Sequence, residues 1–183
     1  MSRTLKLTVG AAVLVLLAGA PAWAQNVNVD FDKAATFTGF NTYQLSRGTL
    51  PDGVSPLMVQ RAAAAIDAEV TAIGMTKVDK DPDIVVVFHA ATKEDKQLTT
   101  WGTGGGYYGR PGWGAGMGTT QTSVDTIIRG TLVIDIIDAR AKKLIFRGQA
   151  TDTVSDNPQK NEKKINKAVE KIFNKYPGNE KNT

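Results

Sequence analysis

Thr126–Val154, TIIRGTLVIDIIDARAKKLIFRGQATDTV, decides the fold. It holds two β-branched, largely apolar runs, Thr126–Ile137 and Lys143–Val154, around the polar linker Asp138-Ala139-Arg140-Ala141-Lys142. Val, Ile, Thr and Phe suit a pleated, half-buried surface, and so short a linker turns the chain back on itself, so the runs read as an antiparallel hairpin. Linker length leaves the register open: Asp135 faces either Arg147 or its neighbour Phe146, and a slip of one residue exchanges the two faces of a strand.

The surrounding segments supply the rest of one layer. Ile84–Ala90 (IVVVFHA) is apolar at successive positions and reads as a central strand. Val27, Val29 and Phe31 alternate with Asn28, Asp30 and Asp32, the period of a strand with one wet face. Thr42–Leu45 and Met75–Val78 add two short extended pieces.

Two helices follow from their boundaries. Ser55-Pro56 offers an N-cap and a proline in the first turn; Val59, Ala62, Ala63, Ile66, Val70 and Ile73 then recur at three- and four-residue steps to Gly74. Asn157-Pro158 starts the second, whose apolar stripe Ile165, Ala168, Val169, Ile172, Phe173 and Tyr176 ends at Pro177-Gly178. Five or six strands with two helices in this order predict an α+β fold: a mostly antiparallel sheet with both helices on one face.

The N-terminus speaks to compartment. Arg3 and Lys6 precede an apolar run from Leu7 to Ala20, and Ala22-Trp23-Ala24 presents the small-x-small site of a signal peptidase, placing the cut before Gln25. The run is shorter than the roughly 20 residues that span a bilayer, so residues 1–24 read as a cleaved signal peptide and the remaining chain as lacking a transmembrane helix. Residues 25–178 then form one domain and 179–183 a loose tail. The expected location is periplasmic or secreted, with peripheral association with the outer membrane as a variant of it. A net charge of +4, part of it in the leader, is too small for a nucleic-acid binder. With no cysteine, neither a disulfide nor a lipidated cysteine is available.

Several segments together carry a resemblance: DFDKAATF at 30–37, AAIDAEV at 64–70, PDIVVVFHA at 82–90, GTLVIDIIDAR at 130–140, LIFRG at 144–148 and KAVEKIF at 167–173. They resemble the bacterial envelope family called domain of unknown function 4136, over nearly the whole chain after the leader. Many members of that family look like lipoproteins, whereas this leader ends Ala-Trp-Ala-Gln, so no lipid anchor is implied. The resemblance implies a fold and a compartment and brings no catalytic residue.

Chemistry-bearing motifs are few. Trp101–Gly118 holds nine of the 18 glycines together with Trp101, Tyr107, Tyr108 and Trp113, which are the candidate binding residues of an adaptable loop. GGGYYG at 104–109 matches a dinucleotide fingerprint but opens no helix. Asp79-Lys80-Asp81-Pro82-Asp83 lacks the glycine and glutamate of an EF-hand and reads as a turn. His89 is the single histidine, so no metal site is expected, and it reads as a partly buried strand residue with a hydrogen-bond partner. Lys160, Lys164, Lys167, Lys171 and Lys175 line one side of the second helix. No catalytic residue and no cofactor are expected. The function read from these features is a non-catalytic exported interaction or envelope-maintenance module whose partner is an envelope protein, glycan or lipid surface. A carboxylate-dependent envelope hydrolase and an outer-membrane-associated structural protein are the alternatives.

Overall fold

The computed structural model describes residues 25–102 and 120–179. Its elements are β1 (Asn26–Phe31), β2 (Thr42–Arg47), α1 (Pro56–Ala72), β3 (Thr76–Lys77), β4 (Ile84–Gly102), β5 (Thr120–Asp138), β6 (Lys143–Thr153) and α2 (Pro158–Phe173). Six strands form one sheet in the order β1-β6-β5-β4-β2-β3. The α+β class holds, and the sheet is mixed: β1–β6, β6–β5 and β5–β4 are antiparallel, whereas β2 pairs parallel with both β3 and β4. The parallel part follows from connectivity, because α1 carries the chain back along the sheet between β2 and β3, which then run in the same direction.

Pairing assigns the faces. Tyr43, Val86, Phe88, Ile134, Ile136, Phe146 and Ala150 are all buried on the side that meets the helices. Ile66 and Val70 of α1 and Val169, Ile172 and Phe173 of α2 close over them. The Tyr43 hydroxyl donates to Asp67 Oδ1 at 3.0 Å, tying β2 to α1. Gly148 of β6 lies so close beneath Ile172 that a Cβ there would collide with its side chain. The ring of Tyr176 stands edge-on to Phe37, Phe146 and Phe173, and burial pushes its phenol up from the ordinary value.

The helices begin as the sequence predicts, with one difference. Asn157 caps α2 by accepting from the N–H groups of Gln159 and Lys160. Ser55 precedes α1 but makes no side-chain cap bond. Of the predicted tail only Asn179 lies among the described residues; it is buried, its amide donating to the Phe173 carbonyl at 3.0 Å.

The turn at 79–83 has a structural task. Asp83 Oδ2 accepts from the Asn41 N–H, the Thr42 N–H and the Thr42 hydroxyl at 3.0–3.1 Å, and Arg140 Nη2 reaches Oδ1 at 2.7 Å. One carboxylate thereby joins β2, β4 and the β5–β6 turn. These bonds, the Asn41 N–H first, hold its pKa below the ordinary 3.8. A lowered carboxylate pKa contributes stability above the unfolded value and loses it as pH falls through the folded one. Asp83→Asn should therefore have a lower urea midpoint than wild type at pH 6, by about 2 kcal/mol of stability, and the gap should narrow below pH 3.8. A gap independent of pH would show that the charge of Asp83 contributes nothing.

Candidate functional site

The strands outrun the helices. β4 and β5 have 19 residues each, roughly 60 Å of extended chain, whereas α1 with 17 and α2 with 16 are roughly 25 Å long. The helix-facing side of the sheet is therefore left uncovered beyond the first turns of α1 and α2. A cleft of about 920 Å³ occupies that place.

Small residues give the cleft its depth: Ala90, Gly130 and Ala150 on the sheet, Ala62 and Ala168 on the helices. Its walls are aliphatic, from Leu57, Met58 and Val59 of α1, Ile165 of α2 and Leu132 of β5. Among the described residues, Leu57, Ile128 and Val154 are large apolar side chains left 59%, 43% and 39% exposed, and all three line this cleft. Single exposed leucines are ordinary on a protein surface, but three converging from different elements on one concavity are not.

Polar groups flank the apolar residues: Thr92 and Asp152 stand beside Gly130, and Glu94 beside Ile128, on the helix-facing side of the sheet. Lys164 Nζ donates to Asp152 Oδ1 at 3.0 Å and to the Thr153 carbonyl at 2.6 Å. The amide of Gln25 donates to the Lys164 carbonyl at 2.9 Å, so the residue expected to begin the exported chain is seated at the cleft. Arg61 pairs with Glu162 at 3.2 Å across the two helices. Asp52 and Glu94 lie exposed on the loop and strand that flank the opening.

A second polar cluster occupies the opposite face of the sheet. Arg147 Nε and Nη2 each reach one oxygen of Asp135 at 2.6 Å, in the forked geometry that suits guanidinium and carboxylate. The Asp135 hydrogen bond raises the pKa of Arg147 further above its usual value. His89 Nε2 lies 3.6 Å from the same carboxylate, and His89 Nδ1 accepts from the Thr49 N–H at 3.0 Å. The imidazole rests on Gly48, where a Cβ would collide with it. With one nitrogen engaged by backbone and the other facing a carboxylate, His89 is placed to brace the β2–α1 loop rather than to take a proton from a hydroxyl.

The sequence-predicted binding residues fare unequally. Trp101 lies within β4, its backbone paired with Gln121, because both strands continue well past the ends expected for them. Tyr107, Tyr108 and Trp113 lie outside the described residues, as do Ala22 and Ala24 of the leader. The cleft escaped the sequence reading. Its one visible signal was Leu57, a large apolar residue off the Val59-Ala62-Ile66 stripe, whereas Ile128 shares its parity with buried Ile134 and only the helix ends reveal that it is uncovered.

Residues 27–178, almost all of the fold just described, match the model of the family described as Domain of unknown function (DUF4136). The chain belongs to this family. Curated proteins offer no match to the DUF4136 chain. Among solved structures, a PDZ domain protein from Parabacteroides distasonis ATCC 8503 superposes with a TM-score of 0.53 at 13% identity, covering 82% of this chain and 35% of that one. The DUF4136 chain thus spans about a third of that protein's length. A PelC dodecamer from Paraburkholderia phytofirmans gives 0.51 at 12% identity, with 85% of this chain and 98% of that chain covered. At such identities the likeness is one of fold. Among the described residues of the DUF4136 chain no helix is long and apolar enough to cross a membrane, and no group of three metal-binding side chains is present.

Proposed function

We propose that this DUF4136 protein is a non-catalytic component of the bacterial envelope that acts by binding, with the cleft at the helix starts as its contact site. The carrying observation is the convergence of exposed Leu57, Ile128 and Val154 on one concavity, both of whose lining cations are paired with acids. Such a surface offers apolar contact, with Asp152 held by Lys164 and with Asp52 and Glu94 exposed beside the opening. The leader at residues 1–24 supports export, and the fold shared with PelC, a protein that forms a dodecamer, fits an assembly or maintenance role.

A deletion strain tests this reading through uptake of a hydrophobic dye, which reports envelope permeability. Loss of the protein should raise uptake, and wild type or Leu144→Asp should restore the barrier, because Leu144 is 42% exposed but lies outside the cleft. Leu57→Asp/Ile128→Asp at equal abundance should not restore it. The wild-type chain should appear in osmotic-shock fluid with Gln25 as its first residue by mass spectrometry. Full restoration by the double variant, or a chain retaining residues 1–24, would count against the proposal.

A further inference from the structure

The cleft and the glycine-aromatic tract belong to the same two strands, far apart along them. Glu94 and Ile128 are the outermost strand residues of the cleft, and past them the sheet narrows to β4 and β5 paired only with each other, out to Gly102 and Thr120. A two-stranded ribbon buries too little to be stable alone in water, so one this long asks for a partner. Residues 103–119, TGGGYYGRPGWGAGMGT, follow Gly102 and precede Thr120 and lie outside the described residues. Their length limits what they can touch. Tethered at both ends, so short a chain reaches back at most roughly 30 Å when fully extended, and Tyr107, Tyr108 and Trp113, nearer the tethers, reach less. Ala90 on the cleft floor lies roughly 40 Å of strand away from Gly102. The tract therefore cannot fill the cleft of its own chain, whereas the ribbon holds it out toward the cleft of a second copy.

Tract and cleft are chemically matched. The tract has no acid and one cation, Arg110. The charged residues lining the cleft are Asp52, Glu94 and Asp152 against Arg61 and Lys164; both cations are paired with acids, and Asp52 and Glu94 make no ion pair among the described residues. Gln25 supplies a third unmet acceptor: its amide nitrogen faces the Lys164 carbonyl, and its Oε1 is buried with no hydrogen-bond partner among the described residues. The tyrosine hydroxyls, the indole N–H and the guanidinium of the tract can all donate. Its rings suit the aliphatic walls, and the small floor residues Ala90, Gly130 and Ala150 leave a volume of about 920 Å³ for them.

From this match we propose that the protein associates with itself head to tail, the tract of one copy seating Tyr107, Tyr108 and Trp113 in the cleft of the next. The inference rests on the reading of the cleft as the contact site and names a second copy as its partner. Tract and cleft are different surfaces, so the contact is heterologous and propagates into a ring or a filament.

Analytical ultracentrifugation of the protein, purified as the cell produces it, tests this. The mass of the wild type should rise above that of one chain as its concentration rises. Tyr107→Ala/Tyr108→Ala/Trp113→Ala removes the rings, and Leu57→Asp/Val154→Asp places carboxylates at exposed wall positions. Each should weaken association at least roughly tenfold at an unchanged melting temperature. Mixed in equal amounts, the two variants should form a dimer and nothing larger, since one keeps only its cleft and the other only its tract. Leu144→Asp should associate as wild type. Because the natural chain has no cysteine, Leu57→Cys/Trp113→Cys gives a second readout: oxidation should link copies into a ladder on a non-reducing gel. A wild-type mass of one chain at every concentration, full association by either variant, no dimer in the mixture, or a disulfide closed within one chain would overturn the proposal. The permeability test stands apart: a monomeric wild type, with Leu57→Asp/Ile128→Asp still failing to restore the barrier, would keep the contact site and remove the second copy as its partner.

Discussion

Phe146→Ala should destabilise the protein by about 3–5 kcal/mol. Phe146 is 1% exposed, on the helix-facing side of β6, and its ring stands 5.2 Å from that of Tyr176 in an edge-to-face pair. Truncation removes the transfer free energy of the ring and leaves a void between the sheet and the segment after α2. Collapse into that void is hindered, because Phe37 and Phe173 are themselves packed against Tyr176. Ile134→Ala, at a position with no exposure in the same layer, should cost about 2–5 kcal/mol, whereas Lys167→Ala on the open side of α2 should stay within about 0.5 kcal/mol of wild type. Urea denaturation of the three variants provides the comparison. Equal midpoints would mean that the β5–β6 hairpin does not form the core.

Arg147→Ala should cost about 3 kcal/mol, by a different mechanism. Asp135 is 5% exposed, and its carboxylate is tolerable there because the guanidinium fork satisfies both oxygens. Removing Arg147 leaves a buried charge with only the imidazole of His89 nearby, 3.6 Å away. The guanidinium is itself half exposed, which places the loss at the lower end of that expected for a broken buried pair. Asp135→Ala/Arg147→Ala removes both charges and should recover more than a third of the loss. A double-mutant cycle from chemical denaturation decides it. Strict additivity of the two single variants would show that the pair contributes no coupling.

The hairpin shows how legible this chain is and where legibility stops. Its existence follows from two β-branched runs and a short polar linker, and β5 and β6 pair as expected from that pattern. The register does not follow. A bulge at Ile145, where Ile136 pairs with Phe146 but Ile137 with Leu144, sets Asp135 opposite Arg147 and puts Ile134, Ile136 and Phe146 together under the helices. A bulge adds one residue to one strand without a composition signal of its own, so local pattern cannot place it.

By itself, then, the sequence determined the elements whose cause is local: two helices from caps and stripes, the strands from alternation and β-branching, and the family from the segments that carry its resemblance. Tertiary structure alone decided the rest. The parallel pairing of β2 with β3 and β4 depends on where α1 returns the chain, which no window of residues records. The Asp83 clamp joins residues 41 and 42 to 83 and 140 because three loops meet at one end of the sheet. The cleft arises from a mismatch of lengths: helices rise about 1.5 Å per residue and strands about 3.3 Å, so elements of similar residue count cannot cover one another. Ile128 looks like a further core residue in the sequence, and only that mismatch leaves it exposed beside Leu57 and Val154 in the cleft.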